Sequence, residues 1–150
     1  MADSVPGTPG TGADAVAGIP KPTDWSVGYV LMNWGVNDMQ FWPLNEATWK
    51  SQYASIIAWA HERYPNANIY LSYPWRVGYD SQAATMHGWV DDLIAANPSY
   101  TKAGVDEAIT IKAGDNGATN TDIGSGSGVH YTVPAGVTAY AEAMQDVLGF

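Results

Sequence analysis

The clearest structural signal in this chain is VGYVLMNWGVND, residues 27–38. Its first part, Val27–Asn33, is a short apolar run with β-branched and aromatic side chains, which is typical of a buried strand. A glycine-containing polar turn follows directly. Similar short runs recur at Ile69–Tyr73 and Val105–Ile111. The sequence therefore predicts three strands, each of which leads into a loop.

Amphipathic helices are predicted between and after these strands. Apolar residues recur at helical spacing across residues 47–64 and again across residues 82–96. A third helix is expected after Pro134, with Thr132 as its N-cap. Strands that alternate with helices favour parallel pairing through right-handed crossovers. We therefore expect an α/β domain with three layers, a reduced flavodoxin-like fold with a small parallel sheet.

The N-terminal segment differs in composition from the rest of the chain. Residues 1–24 are rich in Gly, Pro, Ala and Thr and contain hardly any large apolar side chain. Such a segment cannot by itself offset the entropy lost on ordering. We interpret residues 1–24 as an arm or linker and residues 25–150 as the folded domain. The arm is suited to contacting another subunit or a partner chain, so we expect a homo-oligomer or a complex.

Charge and composition exclude several classes of function. The chain carries 6 basic and 15 acidic side chains, a net charge of −9, and no cysteine. Phosphate backbones and anionic membrane surfaces attract clustered Lys and Arg, so we expect neither nucleic acid nor membrane as a partner. The absence of cysteine excludes disulfides and thiolate metal sites. We find neither a signal-peptide pattern nor an apolar run of the roughly 18 residues that would cross a bilayer.

Candidate catalytic groups follow the strands, where the loops of open parallel sheets collect active residues. Asn37 and the backbone N–H of Gly35 would form a pair of donors for an oxyanion. His130, just before the last helix, would act as a general base. Ordinary turn chemistry remains the alternative for Gly35 and Asn37, and a hydrogen bond to a loop carbonyl remains the alternative for His130.

Aromatic and oxygen-bearing side chains also fall in these loops. Trp34, Trp42 and Trp75 would either stack on the sugar rings of a ligand or fill the space that a missing strand leaves. Asp122 lies in a polar, glycine-rich loop whose spacing matches no EF-hand, which favours a solvated loop over a calcium site. His61 and His87 have no second ligand at i+4. We expect no metal and no cofactor.

Two short motifs resemble those of a known enzyme family. Residues 35–38 (GVND), after an apolar strand, resemble the G-x-N-D block of the SGNH (GDSL-type) hydrolases, and residues 128–130 (GVH) resemble their final D-G-x-H block. The helix, proline and strand between them are similar to the family's crossover, so the resemblance covers about residues 25–150. It implies a serine esterase that acts on acyl or acetyl esters, including acetylated sugars. Gly35 and Asn37 would be its oxyanion-hole donors, and His130 the base that activates a serine.

The catalytic set that this resemblance implies is incomplete. Ser127 stands where the family has its aspartate, and Asp122 in the same loop is the candidate substitute. No G-D-S block follows an apolar strand, which leaves Ser4 in the N-terminal arm as the candidate nucleophile. Three hypotheses stay open. The chain is an ester hydrolase, a non-catalytic viral or cell-surface module for assembly or glycan binding, or part of a split enzyme whose nucleophile comes from a partner chain.

Overall fold

A computed structural model of the chain describes residues 24–108, 119–120, 130–131 and 135–150. Within these residues a parallel sheet has the order β1-β2-β3, with β1 at Tyr29–Met32, β2 at Asn68–Tyr73 and β3 at Thr101–Asp106. The helices are α1 at Glu46–Arg63, α2 at Asp80–Ala96 and α3 at Ala135–Leu148. The prediction of an α/β fold with a small parallel sheet is confirmed. The N-terminal arm lies outside the described residues except for Asp24.

Three shorter elements lie between the strands and helices described above. A 3-10 helix, Asp38–Phe41, follows β1 within the segment that the sequence predicts as a loop. Two short strands, β4 at Thr119–Asn120 and β5 at His130–Tyr131, pair in antiparallel fashion and were not predicted. Their two-residue length carries no periodic signal, so sequence patterns cannot reveal them.

The first helix begins and ends where its sequence dictates. The Asn45 side chain accepts a hydrogen bond from the Thr48 N–H at 2.9 Å and so caps the amino end of α1. Pro65 follows the helix closely and cannot continue it. The buried side of α1, which helical spacing predicts, consists of Trp49, Tyr53, Ile56, Ile57 and Ala60. These side chains attach α1 to the core.

Helices α1 and α2 cover the same face of the sheet. Right-handed crossovers between neighbouring parallel strands place both connecting helices on one side. Here Trp49 of α1 and Trp89 of α2 lie 5.6 Å apart between ring centroids. Ile69 and Leu71 of β2 belong to the same core and are fully buried. The main apolar core therefore lies between the sheet and these two helices.

Helix α3 contacts the opposite face of the sheet and leaves part of it open. The hydroxyl groups of Tyr140 in α3 and Ser72 in β2 lie 3.1 Å apart. Phe150, beyond the end of α3, packs against Tyr29 of β1 with ring centroids 5.8 Å apart. Tyr29 is nevertheless 46% exposed and its neighbour Leu31 is 48% exposed. The described residues thus form three layers, and the layer over β1 is thin.

The third strand begins earlier than the sequence predicts. The prediction placed it at Val105–Ile111, whereas β3 spans Thr101–Asp106 and residues 109–111 lie outside the described residues. The first residues of β3 do not form an apolar run, so the hydrophobic pattern does not predict where this strand begins. Gly104 occurs there because a Cβ would come within 2.8 Å of the Leu71 backbone carbon. Close approach of two strand backbones explains a glycine in this strand.

Candidate functional site

A buried carboxylate joins the carboxyl ends of the three strands. Glu107 directly follows β3 and is only 2% exposed. Its Oε1 atom accepts a hydrogen bond from Asn33 Nδ2, after β1, at 2.5 Å. Its Oε2 atom accepts from the backbone N–H of Trp75, after β2, at 3.2 Å. The carboxylate therefore fixes the relative positions of the loops that follow all three strands.

A hydroxyl pair extends this polar cluster towards α3. Tyr140 is within hydrogen-bonding reach of both Ser72 and Asn33. Burial raises the pKa of the Tyr140 hydroxyl, the nearby Glu107 carboxylate adds to that rise, and the hydrogen bonds with Ser72 and Asn33 oppose it. We define Asn33, Ser72, Glu107 and Tyr140 as the edge cluster. Sequence analysis missed Glu107, because the predicted third strand ran through that position.

The turn after β1 requires glycine. Gly35 has a φ of +109°, which side-chain-bearing residues rarely adopt. A Cβ there would approach Met86 Cε at 2.7 Å, Pro74 Cγ at 3.2 Å and Trp49 Cζ2 at 3.3 Å. The carbonyl of Gly35 accepts a hydrogen bond from the Asp38 N–H at 3.0 Å. The turn is thus closed on itself and packed between β2 and both core helices.

This turn leaves the side chain of Asn37 exposed. Asn37 precedes the 3-10 helix but its side chain does not cap that helix. It makes no hydrogen bond with any other residue in the described part of the chain. Its amide is therefore available as a donor, two residues after the fixed position of Gly35. The oxyanion role of Gly35 and Asn37 stays a prediction.

Asp38, the next residue, has a structural contact. It is 5% exposed, and its Oδ2 atom accepts a hydrogen bond from the indole N–H of Trp49 at 2.9 Å. Burial raises the pKa of the Asp38 carboxyl above its ordinary value, and the bond from Trp49 offsets part of that rise. The bond attaches the turn after β1 to α1. Asp38 therefore holds the loop that presents Asn37.

The other predicted catalytic residues are described only in part. His130 lies in β5, where its backbone pairs with Asn120, and it stands five residues before Ala135, the first residue of α3. The position of its side chain lies outside what the structure describes, and so do Ser4, Asp122 and Ser127. Their roles in catalysis stay predictions.

The three loop tryptophans all make contacts within the protein. Trp34 is half-buried, with its ring centroid 6.1 Å from that of Tyr53. Trp42 stacks on Trp89 at 5.6 Å with an interplanar angle of 14°. Trp75 is 8% exposed and its indole N–H donates to Asp80 Oδ1 at 2.9 Å. These contacts favour the packing alternative, and stacking on sugars stays a prediction.

Among the residues that the structure describes, no group of three His, Asp or Glu side chains has an arrangement that would hold a metal ion. Within the same residues, no helix combines the length and the apolar character that a membrane span requires.

Comparisons with protein-family models, with curated proteins and with solved structures gave no match to this chain. The resemblance to SGNH hydrolases therefore depends on the two short motifs and on their placement in an α/β domain.

Proposed function

We propose that the carboxyl edge of the sheet is the active site of an ester hydrolase of the SGNH type, with a reduced flavodoxin-like fold. The observation that carries the proposal is the exposed amide of Asn37, which has no hydrogen-bond partner among the described residues and directly follows the obligatory glycine turn at Gly35. Neighbouring loops are fixed by the Glu107 carboxylate, which provides the rigid support that a donor pair needs. The substrate is an acyl or acetyl ester, including one carried by a sugar.

In the proposed reaction a serine hydroxyl attacks the ester carbonyl carbon while His130 accepts the hydroxyl proton. The carbonyl oxygen becomes an oxyanion, which the Asn37 amide and the Gly35 N–H stabilise. The C–O bond to the alcohol then breaks, and the alcohol leaves with the proton held by His130. Water hydrolyses the acyl-enzyme by the same steps. Ser4 is the candidate nucleophile, and Asp122 is the candidate for orienting His130.

Reaction with a fluorophosphonate tests this proposal. An activated serine forms a P–O bond and releases fluoride, which adds one defined mass to the intact protein. We expect one adduct on the wild type and none on His130→Ala. His61→Ala is the matched control, because His61 stacks on Tyr100 next to the amino end of β3. The absence of an adduct on the wild type would refute the esterase proposal for this chain alone.

A second candidate function is favoured by the thin layer over β1. This strand lies at the edge of the described sheet, with Tyr29 46% and Leu31 48% exposed, and Phe150 beside them is 77% exposed. Exposed apolar surface of this kind marks contact sites. We propose, as the alternative, an assembly or glycan-binding module, or a split enzyme in which a partner chain adds the missing strand and its serine.

The mass of the full chain in solution distinguishes the alternatives. Assembly through β1 predicts a mass above that of the 16.0 kDa monomer by light scattering, which falls to the monomer value in Leu31→Ser. A split enzyme predicts copurification of a second chain that carries a G-D-S segment. A wild-type monomer that labels with fluorophosphonate would refute both alternatives.

A further inference from the structure

Arg76 is a buried cation without a described partner. It lies three residues after the end of β2 and is only 8% exposed. Its Nε atom is sequestered and has no hydrogen-bond acceptor among the described residues. No carboxylate in the described part of the chain forms an ion pair with it. The guanidinium carbon lies 5.4 Å from the centroid of the Tyr79 ring.

A cation in this position is costly unless something else offsets its burial. Arginine cannot lose its charge at any physiological pH, and burial of an unpaired charge opposes folding. The contrast with Lys50 is clear, since that more exposed residue pairs with both Glu46 and Asp92. In a chain with 15 acidic and 6 basic side chains, partners of opposite charge are plentiful. The described residues therefore do not supply a counter-charge for Arg76.

The amino end of α2 gives a second, independent indication. This 17-residue helix begins at Asp80, and its N-cap residue, Tyr79, makes no side-chain capping hydrogen bond. The first N–H groups of a helix and its dipole together attract anions. Because only three residues separate Arg76 from Asp80, the guanidinium and the amino end of α2 lie in the same short segment.

We propose that Arg76, together with the first turn of α2, binds the carboxylate of a small organic-acid ligand. A guanidinium offers two parallel N–H groups that match the two oxygens of a carboxylate. A single negative charge balances the single positive charge. This proposal does not depend on ester hydrolysis.

Thermal unfolding of the full chain with acetate as the probe tests the proposal. At constant ionic strength, acetate in tenfold excess over its dissociation constant should raise the wild-type Tm by about 3–5 °C relative to chloride. Arg76→Gln should lose this rise. Arg63→Gln should keep it, because Arg63 lies at the end of α1 and donates to the Tyr64 hydroxyl. No rise in the wild type, or an equal rise in Arg76→Gln, would refute the site.

Two further measurements separate binding from a purely structural role. Phosphate at the same ionic strength should raise the Tm less than acetate, and an equal or larger rise would refute the assignment to a carboxylate. Arg76→Met without ligand should have a Tm equal to or above that of the wild type, because removal of an unpaired buried charge relieves its cost. A lower Tm, or failure to fold, would show that Arg76 serves the structure and would overturn the proposal.

Discussion

The two ends of the sheet use their polar groups differently. At the amino end, the Thr101 hydroxyl donates to the carbonyls of Ile94 and Asn97, and the Tyr100 hydroxyl donates to the Asn97 side chain. At the carboxyl end, by contrast, Asn37 keeps an exposed amide and Arg76 keeps a buried charge without a described counter-ion.

Near the amino end of the sheet, the buried atoms that lack a hydrogen-bond partner among the described residues differ in kind from those at the carboxyl end. They are ring nitrogens, the Nε1 atom of Trp59 and the Nδ1 atom of His61, both on the C-terminal half of α1. Polar groups there serve mainly to end helices and to start strands. At the carboxyl end, the Asn37 side chain and the Arg76 Nε atom have no hydrogen-bond partner among the described residues, which is why we propose that the function lies at that end. Proteins commonly depart from local satisfaction at functional sites.

The largest expected effect concerns Asn37. Asn37→Ala should lower kcat/KM for p-nitrophenyl acetate about 10²–10³-fold, because it removes a donor to the developing oxyanion. Asn66→Ala is the same substitution at the amino end, where the Asn66 amide donates to the Trp25 carbonyl at 3.1 Å. It should change the rate less than about twofold. Equal rates for the two variants would remove the functional distinction between the ends.

Gly→Ala substitutions at three positions should lower the free energy of unfolding by different amounts at the two ends of the sheet. Gly35→Ala should lower the free energy of unfolding by about 2–4 kcal/mol, because it combines a positive φ with contacts as short as 2.7 Å. Gly78 has a φ of +80°, but an added Cβ would meet no atom within 4 Å, so Gly78→Ala should lower the free energy of unfolding by about 1 kcal/mol. Gly28→Ala, before β1, has neither problem and should change stability by less than about 0.5 kcal/mol. Urea unfolding measures all three, and an equal cost at Gly35 and Gly28 would contradict the packed turn.

Glu107 should contribute more to the stability of the fold than an exposed acidic residue does. Glu107→Ala removes the hydrogen bonds that the carboxylate accepts from the Asn33 amide and the Trp75 N–H, and should lower the free energy of unfolding by about 2–3 kcal/mol. Glu142→Ala on the exposed surface of α3 should cost less than about 0.5 kcal/mol. Urea unfolding of both variants provides the test. A loss at Glu107 no greater than at Glu142 would show that the carboxylate does not hold the loops together.

The smallest expected effect is the pH dependence due to Asp38. Burial raises the pKa of Asp38 in the folded protein above the ordinary value of 3.8. The folded state then holds this proton more tightly than the unfolded state, so the contribution of Asp38 to stability falls as pH rises from about 3.8 through the folded pKa.

Asp38→Asn removes that dependence and still accepts from Trp49. Urea unfolding across a pH series should therefore show the wild type losing stability relative to Asp38→Asn as pH rises. A relative gain with rising pH would contradict a raised pKa for the buried Asp38 carboxyl.

Sequence patterns predict the frame of this fold better than its polar interior. Helical spacing of apolar residues predicts α1 and α2, and an apolar run predicts β1, because residues buried against one face recur at regular positions in the sequence. The bond between Asp38 and Trp49 joins a loop to a helix, and no periodicity encodes it. Glu107 was missed because β3 ends at Asp106, and that end is set by pairing with β2.

The sequence predicts where the candidate site lies along the chain, but not the contacts of its side chains. The rule that active groups follow parallel strands selects the loop that contains Gly35 and Asn37 as a candidate. It could not show that Trp75 is buried against Asp80, nor that no described residue forms an ion pair with Arg76, since both depend on the packing of side chains from separate elements.

The indole N–H signals of the tryptophans in a ¹H–¹⁵N NMR spectrum, recorded before and after reaction with a fluorophosphonate, test the central claim most directly. Trp49 and Trp75 lie at the carboxyl end of the sheet, whereas Trp25 and Trp59 lie towards the amino end. The account predicts that the Trp49 and Trp75 signals move and that the Trp25 and Trp59 signals stay in place. An unchanged spectrum, or movement confined to Trp25 and Trp59, would contradict the assignment of function to the carboxyl end.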